Sequence, residues 1–92
     1  MIQFPVFLLQ TKADAVHGVE NSTYSMSEDD EVLVFTRREF AEATIEQHEM
    51  QQMVVILQVN SLEFLEFALS GIRNPRLSVD GKHQVELSSL FQ

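Results

Sequence analysis

The chain has no cysteine and no tryptophan. Without thiols it can form no disulfide, no thiolate zinc site and no cysteine nucleophile. Glycine is scarce as well: Gly18, Gly71 and Gly81 each stand alone. No glycine-rich loop is therefore present to cradle a phosphate, and no nucleophile elbow surrounds a serine. Basic residues are also few. Lys12, Arg37, Arg38, Arg73, Arg76 and Lys82 stand against 14 acidic side chains, giving a formal charge of −8. Six cations cannot neutralise a run of phosphates, which argues against nucleic acid and anionic membrane surfaces as partners. An acidic surface favours solubility, and it would also attract and orient a basic protein partner.

Long hydrophobic runs are missing too. Met1 to Gln10 holds one short apolar run, interrupted by Pro5 and preceded by no basic residue. It is expected to be neither a secretory signal nor a membrane span, and a cytoplasmic location follows by elimination. Asn21-Ser22-Thr23 spells a glycosylation acceptor, which carries no meaning without a secretory route.

What is present suits one globular domain spanning residues 1–92. The chain is 92 residues long and 45% hydrophobic, enough for a single core and too ordered in composition for a disordered segment. Phe4 to Gln10 reads as a buried strand, with Pro5 placing that end at a sheet edge or at the first strand residue. A short strand over about Ser22 to Ser27 is expected from the alternation of Tyr24 and Met26 with serines. Glu31 to Phe35 is a strand by residue type. Thr36-Arg37-Arg38-Glu39 then has capping-box spacing, with Phe35 and Phe40 placed as a hydrophobic staple. The helix that follows should run to about His48.

The same grammar returns further on. Val54 to Val59 is the strand, Asn60 the cap, Glu63 the residue three after it, and Val59 with Phe64 the staple. If the two strands share a sheet, this crossover makes them parallel and joins them right-handedly. The second helix should end near Ser70, with Gly71 left-handed after it and Asn74-Pro75 stopping it from resuming. At about 100° per residue, Leu62, Leu65, Ala68, Leu69 and Ile72 share one sector, with Phe64 at its border. Phe67 falls outside that sector. The tail suggests a hairpin around Asp80-Gly81. A three-residue loop pairs Val79 with His83 and Leu77 with Val85, which keeps apolar opposite apolar, whereas a two-residue turn mixes them. A last helical turn over Val85 to Phe91 is the alternative.

Val34-Phe35-Thr36 followed by Phe40-Ala41, then Val54-Val55, the segment Leu62 to Phe67, Asn74-Pro75 and Glu86-Leu87-Ser88-Ser89-Leu90 together resemble the N-terminal domain of the SseB family, named for enhanced serine sensitivity. The likeness runs from Glu31 to Leu90. It implies a fold, and it carries over no catalytic residues.

His17, His48 and His83 fall in a loop, a helix end and a hairpin, without ligand spacing between any two. His48 is expected on the inner side of its helix, near Ala41 and Thr44, meeting the negative end of the dipole. Ser27-Glu28-Asp29-Asp30-Glu31 lacks the alternation and glycine bend of a calcium loop, and reads as a solvated turn. Glu39 and Glu63 could form an acid pair, but cap positions account for both.

The expected architecture is a two-layer α+β domain: a mixed sheet of four or five strands with two helices on one face. The expected function is a non-enzymatic interaction module, homo-oligomeric or joined to a protein partner, without cofactor or metal. Phe67, Met50, Met53, Leu90 and Phe91 are the candidate contact residues, being apolar groups at ends, edges or outer faces. The alternative is a small-molecule-binding or enzymatic domain, with a site between the sheet and residues 11–30 lined by His17 or Tyr24.

Overall fold

The structure, a computed structural model, describes residues 3–16, 18, 19, 22–81 and 83–87. Its elements are β1 (Val6–Thr11), α1 (Lys12–Ala15), β2 (Val32–Phe35), α2 (Arg38–Gln47), β3 (Val54–Val59), α3 (Leu62–Ala68), β4 (Arg76–Val79) and β5 (His83–Glu86). The strands form one five-stranded sheet in the order β3-β1-β2-β4-β5. β1 runs antiparallel to both β2 and β3, β2 is parallel to β4, and β4 is antiparallel to β5. The α+β class and the mixed sheet are as expected.

The layering is not. Side chains of a strand alternate between faces, so neighbours along β1 report on opposite sides of the sheet. Val6 and Leu8 pack with Leu65 and Ala68 of α3 and with Leu69 at its C-cap. Phe7 and Leu9 pack with Ala41 of α2. The two long helices therefore cover opposite faces, and the domain has three layers where two were expected. The strand order supplies the reason. The crossover through α2 leaves β2 and passes β1 to reach β3; the crossover through α3 then returns past β1 and β2 to β4. Two crossovers moving in opposite directions can share the right-handed sense only by using opposite faces. Sequence patterning reveals each strand–helix unit but not the reversal between them.

Both strand-to-helix transitions occur where expected, with the caps displaced by one residue. The N-cap of α2 is Arg37, without a side-chain hydrogen bond, because Thr36 is engaged elsewhere. The N-cap of α3 is Ser61, whose hydroxyl accepts from the Phe64 amide at 3.1 Å, while Asn60 accepts from Gln58. Helix α3 ends at Ala68. Asn74, at φ 49°, takes a left-handed conformation after it; Gly71 does not. Leu65, Ala68 and Leu69 are buried, with Leu62, Phe64 and Ile72 packed at the margin of that core, as the helical sector predicts. Each fully buried leucine contributes about 2–3 kcal/mol relative to exposure.

The hairpin follows the longer loop: Val79 pairs with His83 and Leu77 with Val85. Asp80 and Gly81 turn with φ of 53° and 71°. That register makes β5 a strand from His83, so the alternative helical turn does not begin at Val85; its remainder lies outside the described residues.

β1 and β2 separate toward one end, and the segment around Tyr24 fills the fork. Single bridges join Gln10 to Tyr24 and Met26 to Val32, and the Ser25 amide donates to the Leu9 carbonyl at 2.9 Å. The expected short strand is thus a wedge of isolated bridges between two longer strands.

Candidate functional site

Edge position turns an ordinary strand into an interaction site, so the chemistry begins with which strands lie at the rim. Among the described residues they are β3 and β5. β5 is short, His83–Glu86, and carries a carboxylate. Short length and charge are common protections against pairing with another chain. β3 has neither. Its sequence VVILQV runs six residues without charge, proline or register break, and all six pair with β1.

The direction of its free groups follows from the antiparallel ladder, in which alternate residues point toward and away from a given neighbour. The Lys12 amide donates to the Met53 carbonyl at 2.8 Å, so Val55, Leu57 and Val59 also address β1. Thr11 donates to Thr23, and Leu9 accepts from Ser25, on the opposite side of β1, in agreement with that alternation. Val54, Ile56 and Gln58 therefore aim their backbone groups outward. The Val54 amide turns back to the Met50 carbonyl at 3.2 Å. The amides and carbonyls of Ile56 and Gln58, with the Val54 carbonyl, form an open row without a backbone partner among the described residues. Val55, Ile56 and Leu57 are only half-buried, and Gln58 is exposed. Among the described residues the strand presents an unpaired hydrogen-bonding edge flanked by apolar side chains.

The residues singled out from sequence are dispersed. Phe67 is 46% exposed on α3, its ring 6.2 Å from that of Phe64. Met50 packs half-buried against the α2 cluster, on the opposite face of the sheet from α3. Met53 is 65% exposed in the turn entering β3. Leu90 and Phe91 lie outside the described residues, as do His17 and Asn21. His48 is exposed at the C-cap of α2, a correction to the inner position expected for it. Glu39 faces Arg37 at 3.2 Å, an exposed pair of little energetic weight. Arg37 also lies over the half-exposed Phe40 ring at 5.7 Å.

Tyr24, expected beside a pocket, is a core residue. It is 4% exposed and belongs to the cluster that α3 covers, with its hydroxyl donating to the Val19 carbonyl at 2.9 Å. Burial pushes its phenol above the ordinary tyrosine range, against a smaller opposing effect from Ser22. An open cleft of about 390 Å³ lies instead at the base of the hairpin, lined by Asn74, Pro75, Arg76 and Glu86. Its arginine already donates to the Asp29 carbonyl at 2.9 Å. Among the described residues no group of three histidine or acidic side chains could hold a metal ion, and no helix is long and apolar enough to cross a membrane.

No family model, curated protein or solved structure matches this chain.

The open edge was missed in sequence because strand order is invisible there. An apolar run such as VVILQV suggests a strand covered on both faces, which β3 is. Being covered on both faces says nothing about the edge. Of the two placements expected for Pro5, the sheet edge does not hold, since β1 lies inside the sheet; the strand start does to within one residue, the proline immediately preceding Val6.

Proposed function

We propose that this protein is a non-enzymatic interaction module that binds an extended segment along β3. The observation that carries the reading is the outward row of Ile56 and Gln58 backbone groups on an uncharged strand. A strand added there gains main-chain hydrogen bonds, and alternate side chains gain contact with Val55, Ile56 and Leu57, the usual physics of β-augmentation. Left uncovered, a six-residue apolar edge of this kind is an aggregation hazard. A docking role supplies its cover. The resemblance to the SseB N-terminal domain is compatible with this reading, since it implies a fold without implying catalytic residues.

The exposed Phe67, stacked on Phe64, supports a second reading, in which α3 contributes an apolar contact of its own. The two readings separate in one experiment. A displayed library of extended peptides is selected against the native protein, and bound peptides are mapped by amide protection. Protection at Ile56 and Gln58, with binding lost in Ile56→Pro, is the expected result. Peptides that leave those amides unprotected, or that bind Ile56→Pro equally well, contradict the β3 reading.

A further inference from the structure

We infer that the segment which covers β3 is β3 of a second copy, paired antiparallel across a two-fold axis at Ile56. This rests on the docking role proposed for β3 and identifies the occupant.

The edge is complementary to itself. With Ile56 opposite the partner's Ile56, each donates its amide to the other's carbonyl. Gln58 then donates to the carbonyl of the partner's Val54, and the reverse bond forms by symmetry. The one outward amide this register leaves unused is that of Val54, which Met50 already accepts. Side chains agree with the register. Ile56 meets its own copy on the α2 face, and Leu57 meets the partner's Val55 on the α3 face. A register shifted to place Leu57 on the axis would set Ile56 opposite the polar, exposed Gln58. The apolar match selects the first.

Size and closure point the same way. A six-residue strand is about 20 Å long, so pairing along it makes a contact at the small end of the range for specific interfaces. The dimer is accordingly weak and reversible. It is also closed: joining the two β3 edges leaves a ten-stranded sheet whose rims are both β5, short and charged. The growth that an open apolar edge invites stops at two copies.

Charge gives the proposal a distinctive signature. Each copy carries −8, while β3 carries nothing. The copies repel at long range, so added salt tightens the dimer, whereas it would weaken binding of a basic peptide.

Sedimentation of the native protein over a wide concentration range, at low and moderate salt, tests this. A monomer–dimer equilibrium shifted toward dimer by salt is expected, with Ile56→Pro monomeric at every concentration. The Ile56 amide points outward, so proline removes no bond to β1. Circular dichroism checks that the variant is folded; if it is not, Ile56→Lys takes its place, with the same expectation. Because the chain has no cysteine, Ile56→Cys reports independently. Directly opposed residues of a hydrogen-bonded pair lie about 5.5 Å apart between Cα atoms, within disulfide reach. Mild oxidation should cross-link Ile56→Cys and leave Glu86→Cys on β5 largely unlinked. A native protein that stays monomeric throughout, or a dimer indifferent to both Ile56 substitutions, overturns the inference. Monomeric protein that still binds peptides along β3 would leave the docking role standing with another occupant.

Discussion

Thr36 and Asp80 clasp one another across the carboxyl ends of β2 and β4. One Asp80 carboxylate oxygen accepts from the Thr36 amide at 2.9 Å and the other from its hydroxyl at 2.6 Å, while the Asp80 amide donates to the Val34 carbonyl at 2.8 Å. The same residue opens the β4–β5 turn at φ 53°, a conformation that Asp and Asn tolerate better than most. One side chain thus fixes the exit of β2, the start of the hairpin and the register between them. It also explains why Thr36 does not cap α2: its hydroxyl is committed to Asp80.

Asp80→Ala removes both acceptors and leaves a strained residue, and should cost about 1–3 kcal/mol. Asp80→Asn keeps an acceptor for the Thr36 amide and keeps the turn conformation, so it should cost distinctly less. Urea unfolding midpoints check the order. Equal losses in the two variants would contradict this account of the clasp.

Tyr24 makes the fold sensitive to alkali. It is the one tyrosine in the chain, and there is no tryptophan, so phenolate absorbance reports it alone. Burial raises its pKa in the folded state above the ordinary 10.0. The unfolded chain therefore ionises first as pH rises, and binds fewer protons than the folded one. The stabilisation is complete below 10.0 and is lost as pH climbs through the folded value. Tyr24→Phe should cost about 1 kcal/mol near neutrality, through the lost bond to Val19, and should flatten the alkaline fall. A native phenol titrating at the free value would contradict the buried assignment.

Opposite-face packing predicts a pattern of coupling. Leu8 and Leu65 share the cluster under α3, whereas Leu9 lies under α2. Each Leu→Val substitution should cost about 1 kcal/mol, from the methylene removed and the gap left. Leu9→Val and Leu65→Val should then add within about 0.5 kcal/mol, while Leu8→Val and Leu65→Val should depart further from additivity. Denaturant double-mutant cycles measure both. Strong coupling between Leu9 and Leu65 would restore a two-layer arrangement.

Phe67→Asp should lower stability by about 1 kcal/mol, through loss of the stack on Phe64. It should leave the mass in solution unchanged. Light scattering of native and variant protein decides this, and a variant that dissociates would move the interface from β3 to α3.

Local structure was legible wherever period and punctuation agreed. The inner sector of α3 and the hairpin register both follow from which residues must share a face, and a slip of one residue would have exposed Leu77 or Leu65. Strand order was not legible. It is set by where each crossover lands, and neither the run at Leu8 nor the run at Ile56 encodes its neighbour. The layering and the open edge of β3 both depend on that order, so both were hidden. Of the contact residues expected from sequence, Phe67 and Met53 are exposed as foreseen, because a helical wheel or a turn suffices to place them. Ile56 was passed over because an apolar residue in an apolar strand has no signal of its own.

Amide hydrogen exchange at Ile56 and Gln58, followed as protein concentration rises, tests the central claim most directly. The account predicts that both amides become protected together, in step with self-association, while the Val55 and Leu57 amides bonded to β1 are protected throughout. Ile56 and Gln58 exchanging as open amides at every concentration, in a protein whose mass shows association by another surface, would contradict it.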